Sequence, residues 1–214
     1  MIDLRANDLA MMDALGVEYL IGVDEAGRGP LAGPVVASAT LISRAELELE
    51  LAEDDPLRWV KDSKKVTERR REIVFEQSLS DFQIGSHQVS HRLIDQMNIL
   101  EATKAAWHES IEQLLSVVPL DASVAILIDG HIGIPEDMYP VKPIIKGDGL
   151  HFCIALASIH AKVTRDRLMV ELSETYPEYE LSRHKGYGTK LHRELIQKHG
   201  LSPIHRRSFC TKLI

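Results

Sequence analysis

The chain has 214 residues, of which 44% are hydrophobic and 27% are charged. These values are typical of globular proteins and exclude an intrinsically disordered chain, and the length predicts one core with a small appendage. The longest stretch without an acidic or basic residue, 29–43, contains Gly, Pro and Ser and is too short to span a bilayer. Because Cys153 and Cys210 are the only cysteines, we expect no disulfide framework and a reducing, cytoplasmic location.

The formal net charge of −7 argues by itself against a nucleic-acid partner, because phosphate groups are bound by lysine and arginine. The distribution of charge points the other way, since residues 183–214 carry +7 and the rest of the chain −14. The bases of this region are Arg183, Lys185, Lys190, Arg193, Lys198, Arg206, Arg207 and Lys212. A solvated basic helix face would carry the same charges, so this feature alone leaves the partner open.

The first half of the chain is predicted to be mainly β-structure. The segment 19–42, YLIGVDEAGRGPLAGPVVASATLI, predicts two strands that a Gly/Pro-rich turn joins into a hairpin. Residues 44–55 hold six acids and one base, which is typical of an exposed loop or short helix. Thr67 is the predicted N-cap of a helix over 68–79, and a strand follows at 82–89.

The second half of the chain alternates predicted helices and strands. From Asn98 onward, apolar residues recur every three or four positions, which predicts a helix, and Asn98 with Glu101 resembles a capping box. The later predicted elements are a strand at 123–130, a strand at 139–149, a helix at about 151–172 and a helix at 190–199 that Gly200 ends.

Three of the predicted apolar strands end in acidic residues that glycine follows within two positions. These acids are Asp24 with Glu25, Asp129, and Asp148. Strand ends meet at one edge of the sheet in a layered α/β protein, so acids that are distant in sequence can converge there. Each Asp-Gly pair taken singly is also typical of a turn, so the hypothesis of a site depends on the three occurring together.

Converging carboxylates favour a divalent metal. Ionised carboxylates raise one another's pKa, and a divalent cation removes that cost. Oxygen ligands without His or Cys at metal-binding spacing favour Mg²⁺ or Mn²⁺ over zinc. Two such ions could place a water for in-line attack on phosphorus. The acids therefore predict a site for metal-dependent hydrolysis of a phosphodiester.

The Gly-rich segment 27–33 does not match the dinucleotide-binding fingerprint. Its third glycine comes one residue late, two prolines interrupt it, and two acids stand where a pyrophosphate would approach. A nucleotide- or sugar-phosphate enzyme is therefore disfavoured. The glycines do allow close approach of a ligand to the backbone, with a simple tight turn as the alternative.

The chain resembles the type 2 ribonucleases H (ribonuclease HII), in their bacterial form. Between residues 22 and 209 the resemblance is carried, in order, by GVDEAGRGPLAGPVV, DSKK, MNILEAT, LIDG, IIKGD, AKVTRDR, HKGYGTKLH and HRRSF. It implies an α/β ribonuclease H-like fold, with a mixed central β-sheet flanked by helices. The implied domains are a catalytic domain over 1–180 and a small basic helical extension over 181–214.

The resemblance also implies an activity. It implies an endoribonuclease that cleaves the RNA strand of RNA·DNA hybrids and incises 5′ of single ribonucleotides embedded in duplex DNA, as in ribonucleotide excision repair. Two-metal hydrolysis with Mg²⁺ or Mn²⁺ would leave 3′-hydroxyl and 5′-phosphate ends, and the enzyme would act as a monomer. A non-catalytic hybrid-binding module that uses only the basic region is the alternative.

The resemblance assigns roles to particular residues. Asp24, Glu25, Asp129 and Asp148 match the metal-binding catalytic acids of the family. The backbone of Gly27, Arg28 and Gly29 would recognise the 2′-hydroxyl of the ribonucleotide, and Tyr187 would stack on the next deoxyribose. The implied phosphate contacts are Ser63, Lys64, Lys65, Lys185, Arg206 and Arg207.

One part of the chain departs from the family pattern, and some prominent residues have ordinary explanations. After Asp148 the family has serine and small residues, whereas this chain has GLHFC, and Asp166 is the nearest rival for the fourth acid. We expect His184, His192, His199 and His205 to be surface residues, because their spacing fits no metal motif. Trp107 lies at a helical core position, and Cys153 is expected to be a small buried hydrophobe.

Overall fold

The structure, a computed structural model, describes residues 3–135 and 139–213. In this part of the chain the strands are β1 Tyr19–Ala26, β2 Val35–Ser43, β3 Gln83–Val89, β4 Val124–Asp129 and β5 Val141–Ile144. The α-helices are α1 Leu4–Leu15, α2 Arg44–Glu48, α3 Glu68–Asp81, α4 His91–Met97, α5 Ile99–Leu115, α6 Phe152–Thr175, α7 Leu181–His184 and α8 Lys190–His199.

The five strands form one mixed sheet in the order β3-β2-β1-β4-β5. The hairpin β1–β2 and the pair β2–β3 are antiparallel, whereas β4 and β5 run parallel to β1. This is the predicted mixed central sheet. The register pairs Val23 on β1 with Ile128 on β4, so Asp24 and Asp129 follow at the same level of the sheet.

Helices cover the sheet on both faces. Successive β1 residues point to opposite sides, so Leu20 belongs to a buried cluster with α6, and Ile21 belongs to a second cluster with α5. Gly22 allows β1 to approach α6 closely, because a Cβ there would lie 2.2 Å from the carbonyl carbon of Cys153. The strand that carries Asp24 is therefore packed tightly against the start of α6.

Most of the predicted elements are confirmed. Thr67 caps α3 through its hydroxyl, and Gly200 ends α8 with a positive φ of 79°. Asn98 accepts hydrogen bonds from the backbone N–H groups of Leu100 and Glu101, but the Glu101 side chain pairs with Lys104, so the capping box is only half formed. The sequence patterns did not predict α1, α4 or α7.

The C-terminal region packs onto the rest of the chain through a third apolar cluster. Its buried members are Leu31, Ala32, Met169, Tyr179, Leu181, Ile196, Ile204 and Cys210. Because Met169 belongs to α6 and Ile196 to α8, the cluster joins residues on both sides of position 180. The division into domains at that position stays a prediction. The helices within residues 3–135 and 139–213 are all too short or too polar to span a bilayer.

Candidate active site

Four predicted acids lie at one edge of the sheet. Asp24 and Glu25 are among the last three residues of β1. Asp129 is the last residue of the parallel strand β4. Asp148 follows β5 in a single 3₁₀ turn, Gly147–Gly149. The pairing of Gly130 N–H with the carbonyl of Ile144 brings the ends of β4 and β5 together. Acids from the ends of three strands therefore share this edge, as the sequence predicts, although β5 stops at Ile144 and Asp148 lies in the turn after it.

Hydrogen bonds fix the orientation of these carboxylates. The backbone N–H of Gly147 donates to Asp129 Oδ1 over 2.6 Å, which ties Asp129 to the turn of Asp148. The indole Nε1 of Trp107 donates to Glu25 Oε2 over 3.0 Å. Trp107 is buried on α5, as its core position predicts, but its hydrogen bond to a candidate catalytic acid was not predicted.

Burial and mutual repulsion raise the pKa values of three of these acids. Burial, together with the charges of Glu25 and Asp129, holds the pKa of Asp24 well above its ordinary value. Burial also raises the pKa of Glu25, although Arg28 and Trp107 oppose this shift. The pKa of Asp148 is raised by burial and by the charges of Asp129 and Asp62. Keeping these carboxylates ionised side by side therefore costs free energy unless a cation is bound.

The donor set fits a hard divalent cation. All four candidate ligands are carboxylates, which Mg²⁺ and Mn²⁺ prefer. In residues 3–135 and 139–213 we find an ion pair of Glu25 with Arg28 and none of Asp24, Asp129 or Asp148. The same residues include no ready-formed group of three or more His, Cys, Asp or Glu side chains that could hold a metal. Ligation by the four acids stays a prediction.

A buried arginine, Arg206, holds the loop after β1 in place. The Arg206 guanidinium donates to the carbonyl oxygens of Gly27, Arg28 and Gly33 over 2.6, 3.0 and 3.0 Å. Its relative exposure is 0%, and burial lowers its pKa to about 9. Arg206 was predicted to contact phosphate, and its burial contradicts this. Its guanidinium holds the candidate substrate loop instead, while Arg28 and Gly29 lie exposed.

A second buried arginine joins this loop to the turn that carries Tyr187. Arg165 on α6 donates to the carbonyl oxygens of Ala32, Pro34 and Lys185. Its guanidinium also lies 5.7 Å from the centre of the Tyr187 ring, which is a cation–π distance. Tyr187 is 42% exposed, so a ligand can reach part of its side chain. Arg165 was not predicted to have this role.

The other predicted phosphate contacts differ in exposure. Ser63 is buried, and its hydroxyl accepts a hydrogen bond from Ser158 on α6 over 2.9 Å, which argues against its predicted contact with phosphate. Lys64, Lys65 and Arg207 are exposed. Lys185 is half-buried and its Nζ donates to the Ser182 carbonyl. Asp166, the rival for the fourth acid, pairs instead with Lys162 over 2.6 Å within α6.

Three histidines form a buried network beneath the Tyr187 turn. His192 Nδ1 lies 3.0 Å from the Tyr187 carbonyl, and His192 Nε2 lies 3.1 Å from His205 Nε2. His184 stacks on His192 and accepts from the N–H of Gly186. The prediction of surface histidines is therefore wrong for His184, His192 and His205, although it holds for His199.

The hydrogen-bond partners require a neutral form of the histidine pair. His192 must donate from Nδ1 to the Tyr187 carbonyl, so its Nε2 accepts from His205 Nε2–H. His205 Nδ1 then accepts from the N–H and hydroxyl of Ser202. A proton added to either ring would place two donors face to face. In keeping with this, burial lowers the pKa of both His192 and His205 to about 4.

These histidines predict a loss of stability in acid. Their pKa is about 4 in the folded chain and 6.5 as an unperturbed value, so the unfolded chain binds more protons between these limits. Their contribution is complete above pH 6.5 and decreases as the pH falls towards 4. We expect the Tm of His192→Asn to be lower than wild type at pH 7 but to fall less steeply between pH 6.5 and 4. Parallel Tm curves would contradict this assignment.

Comparison with known proteins identifies a family and agrees with the fold. Residues 21–212 match the family model described as Ribonuclease HII. Ribonuclease HII of Rickettsia rickettsii (strain Sheila Smith) is 46% identical over 188 residues, which cover 88% of this chain and 89% of the relative.

Two solved structures share the fold. The ribonuclease H2 of Pyrococcus horikoshii OT3 has a TM-score of 0.67 and 28% identity, covering 91% of this chain and 96% of that one. The RNase HII of Archaeoglobus fulgidus, solved as a complex with PCNA, has a TM-score of 0.69 and 26% identity, with the same coverage.

A mixed sheet flanked by helices, shared with these two solved ribonucleases, places the chain in the class of metal-dependent ribonucleases H. Within this class the match over most of the sequence is decisive, and the chain belongs to the ribonuclease HII family. Membership supports an endonuclease of the ribonuclease H type over the non-catalytic binding module that the basic region left open.

Proposed function

We propose that the chain cleaves the RNA strand of RNA·DNA hybrids and incises 5′ of single ribonucleotides in duplex DNA, leaving 3′-hydroxyl and 5′-phosphate ends. The observation that carries this proposal is the placement of Asp24 and Asp129 side by side on parallel strands, with Glu25 and Asp148 at the same edge. Raised pKa values of Asp24, Glu25 and Asp148 support a site built to receive positive charge.

In this proposal the four carboxylates hold Mg²⁺ or Mn²⁺. When bound, such ions supply Lewis-acid chemistry that activates water and neutralises charge at the scissile phosphate. The chain itself contributes geometry: the Gly147 N–H orients Asp129, and the Trp107 indole orients Glu25. Held in place before the substrate arrives, these groups need little reorganisation during the reaction.

In this proposal the loop of Gly27, Arg28 and Gly29 recognises the ribose. The buried Arg206 guanidinium donates hydrogen bonds to the carbonyl oxygens of Gly27 and Arg28, which fixes the backbone of the loop. Gly29 is exposed and a Cβ there would have no neighbour within 4 Å, so a nucleotide can approach its backbone closely. The 2′-hydroxyl is the group that such a contact can use to distinguish RNA from DNA.

Tyr187 stacks on the deoxyribose that follows the ribonucleotide. Its exposed ring is steadied by Arg165 on one side, and its carbonyl is held by His192. Arg165 also donates to carbonyl oxygens of the loop after β1. The same side chain therefore connects this loop to the turn that carries Tyr187. Lys64, Lys65, Lys185 and Arg207 are the remaining candidates for phosphate contacts.

A duplex with one embedded ribonucleotide tests the proposal directly. With Mg²⁺ or Mn²⁺ present, we expect one cut on the 5′ side of the ribonucleotide, with a 3′-hydroxyl end that a DNA polymerase extends without treatment. Mapping the labelled products on a sequencing gel identifies the position and the ends. The matched all-DNA duplex should remain intact, and EDTA should abolish cleavage. Cleavage of both duplexes at similar rates, or of neither, would reject the proposal.

A further inference from the structure

The N-terminal helix α1 lies outside the matched family region, yet it contacts the turn that carries Asp148. The family match begins at residue 21, whereas α1 ends at Leu15. Asp8, in the middle of α1, has a relative exposure of 0%. A carboxylate in such a place is costly unless hydrogen bonds compensate it, so its partners show what the helix is anchored to.

Both oxygens of Asp8 are used by residues that follow Asp148. Asp8 Oδ1 accepts from His151 Nδ1 over 2.8 Å, and Asp8 Oδ2 accepts from the Cys153 N–H over 2.8 Å. The neighbouring Asn7 donates from Nδ2 to the Leu150 carbonyl over 2.8 Å. Three hydrogen bonds from one turn of α1 therefore hold residues 150–153.

The Cys153 contact is a helix cap supplied by another helix. His151 is the N-cap residue of α6, and its side chain makes no capping hydrogen bond. Asp8 fills this role from α1, where its negative charge also faces the positive end of the helix dipole. The start of α6 is thus fixed by α1 rather than by its own sequence.

Hydrogen bonds within residues 147–151 connect the contacts of Asp8 to the candidate metal ligands. The N–H groups of Leu150 and His151 both donate to the Gly147 carbonyl, over 2.9 and 2.8 Å, which closes the turn around Asp148. The N–H of Gly147 donates in turn to Asp129 Oδ1. A continuous series of hydrogen bonds therefore runs from Asp8 to the carboxylates of the active site.

We propose that Asp8 is a positioning residue of the active site, which through His151 and the start of α6 fixes the turn that presents Asp148 and orients Asp129. This proposal rests on the proposed ligation of metal by Asp148. Partners that orient metal ligands in this way typically change metal affinity or activity by about 10–100-fold when they are removed. Helix α1 then contributes one positioning residue, Asp8, to the site.

Calorimetric titration with Mn²⁺ alone, without substrate, tests the proposal. We expect Asp8→Ala to raise the Kd for Mn²⁺ by about 10–100-fold. Cleavage should shift to higher Mn²⁺ concentration by a similar factor and recover much of its rate at saturating metal. Asp8→Asn keeps an acceptor for the Cys153 N–H and should restore part of the affinity.

Asp13→Ala is the matched control, because Asp13 lies on the same helix but is exposed and pairs with Arg44. It should leave both the Kd for Mn²⁺ and cleavage unchanged. A lowered Tm of Asp8→Ala with an unchanged Kd for Mn²⁺ would show a purely structural role and overturn the proposal. Should Asp8→Ala not fold, Asp8→Asn gives the same test, and a wild-type Kd in that variant overturns the proposal.

Asp148→Asn separates this inference from the proposed function. If Asp148→Asn weakens Mn²⁺ binding but Asp8→Ala and Asp8→Asn do not, only the role of Asp8 is rejected. If Asp148→Asn binds Mn²⁺ as wild type does, the assignment of Asp148 as a ligand fails and the role of Asp8 fails with it.

Discussion

Asp24→Asn should lower cleavage of a singly ribo-substituted duplex by about 10²–10³-fold or more, which is the scale expected when one charge-stabilising group is lost. Asparagine keeps the size of the side chain and the hydrogen bond that Asp24 Oδ1 accepts from the Glu25 N–H at 2.7 Å. It removes the negative charge on which metal binding depends. Binding of the uncut duplex, measured by fluorescence anisotropy, should persist, because the basic residues are untouched.

The same substitution should stabilise the chain when divalent metal is absent. The pKa of Asp24 is raised by burial and by the charges of Glu25 and Asp129, so its ionised form destabilises the fold increasingly as the pH rises above 3.8. Asparagine removes this cost, and the Tm at pH 8 with EDTA should rise. Added Mn²⁺ should then raise the Tm of the wild type far more than that of the variant.

Asp166→Asn is the control for Asp24→Asn. Asp166 is also an aspartate, but it lies on α6 and pairs with Lys162 over 2.6 Å. Its substitution should leave cleavage near the wild-type rate. Wild-type cleavage by Asp24→Asn, or an equal loss in Asp166→Asn, would show that the acids at the ends of β1, β4 and β5 are not the catalytic set.

The strands and the placement of the acids could be predicted because both depend on local patterns. The strands β1, β2 and β4 are short apolar runs, and each acid stands at or shortly after the end of an apolar segment. The parallel pairing of β1 with β4 then brings Asp24 beside Asp129 without any further information. Helix α1 was not predicted, since its buried face contains Asp8, an acid that a sequence pattern assigns to the surface.

The supports of the site could not be predicted, because their partners are distant backbone groups. Arg206 is buried against carbonyl oxygens of residues more than 170 positions away in sequence. Arg165 lies in a polar segment, TRDR, that is typical of an exposed helix surface, yet it is 1% exposed. A buried guanidinium is tolerated only when its donors are satisfied, and carbonyl acceptors leave no signature in sequence. The sequence therefore contains no signal for the burial of Arg206, to which the resemblance assigns a phosphate contact.

Gly27→Ala should have the largest effect on the fold among changes in the substrate loop. Gly27 has φ of +99°, and a Cβ there would lie 2.1 Å from Arg165 Nε and 2.8 Å from the Pro34 carbonyl oxygen. The positive φ and the overpacking together should cost about 2–5 kcal/mol. In a domain of this size the Tm should fall by roughly 4–20 °C. Circular dichroism measured against temperature gives this value.

Gly29→Ala provides the comparison within the same loop, and the two variants separate support of the loop from contact with the substrate. A Cβ at Gly29 meets nothing within 4 Å, so its Tm should equal that of the wild type. Its added methyl group would stand where the sugar is proposed to approach, so incision at a ribonucleotide should fall although the fold is intact. In Gly27→Ala the displaced Arg165 guanidinium would loosen both the loop and the Tyr187 turn, so stability and incision should fall together. A wild-type Tm in Gly27→Ala would mean that Arg165 does not hold the loop. Wild-type incision by Gly29→Ala would show that the loop backbone does not recognise the sugar.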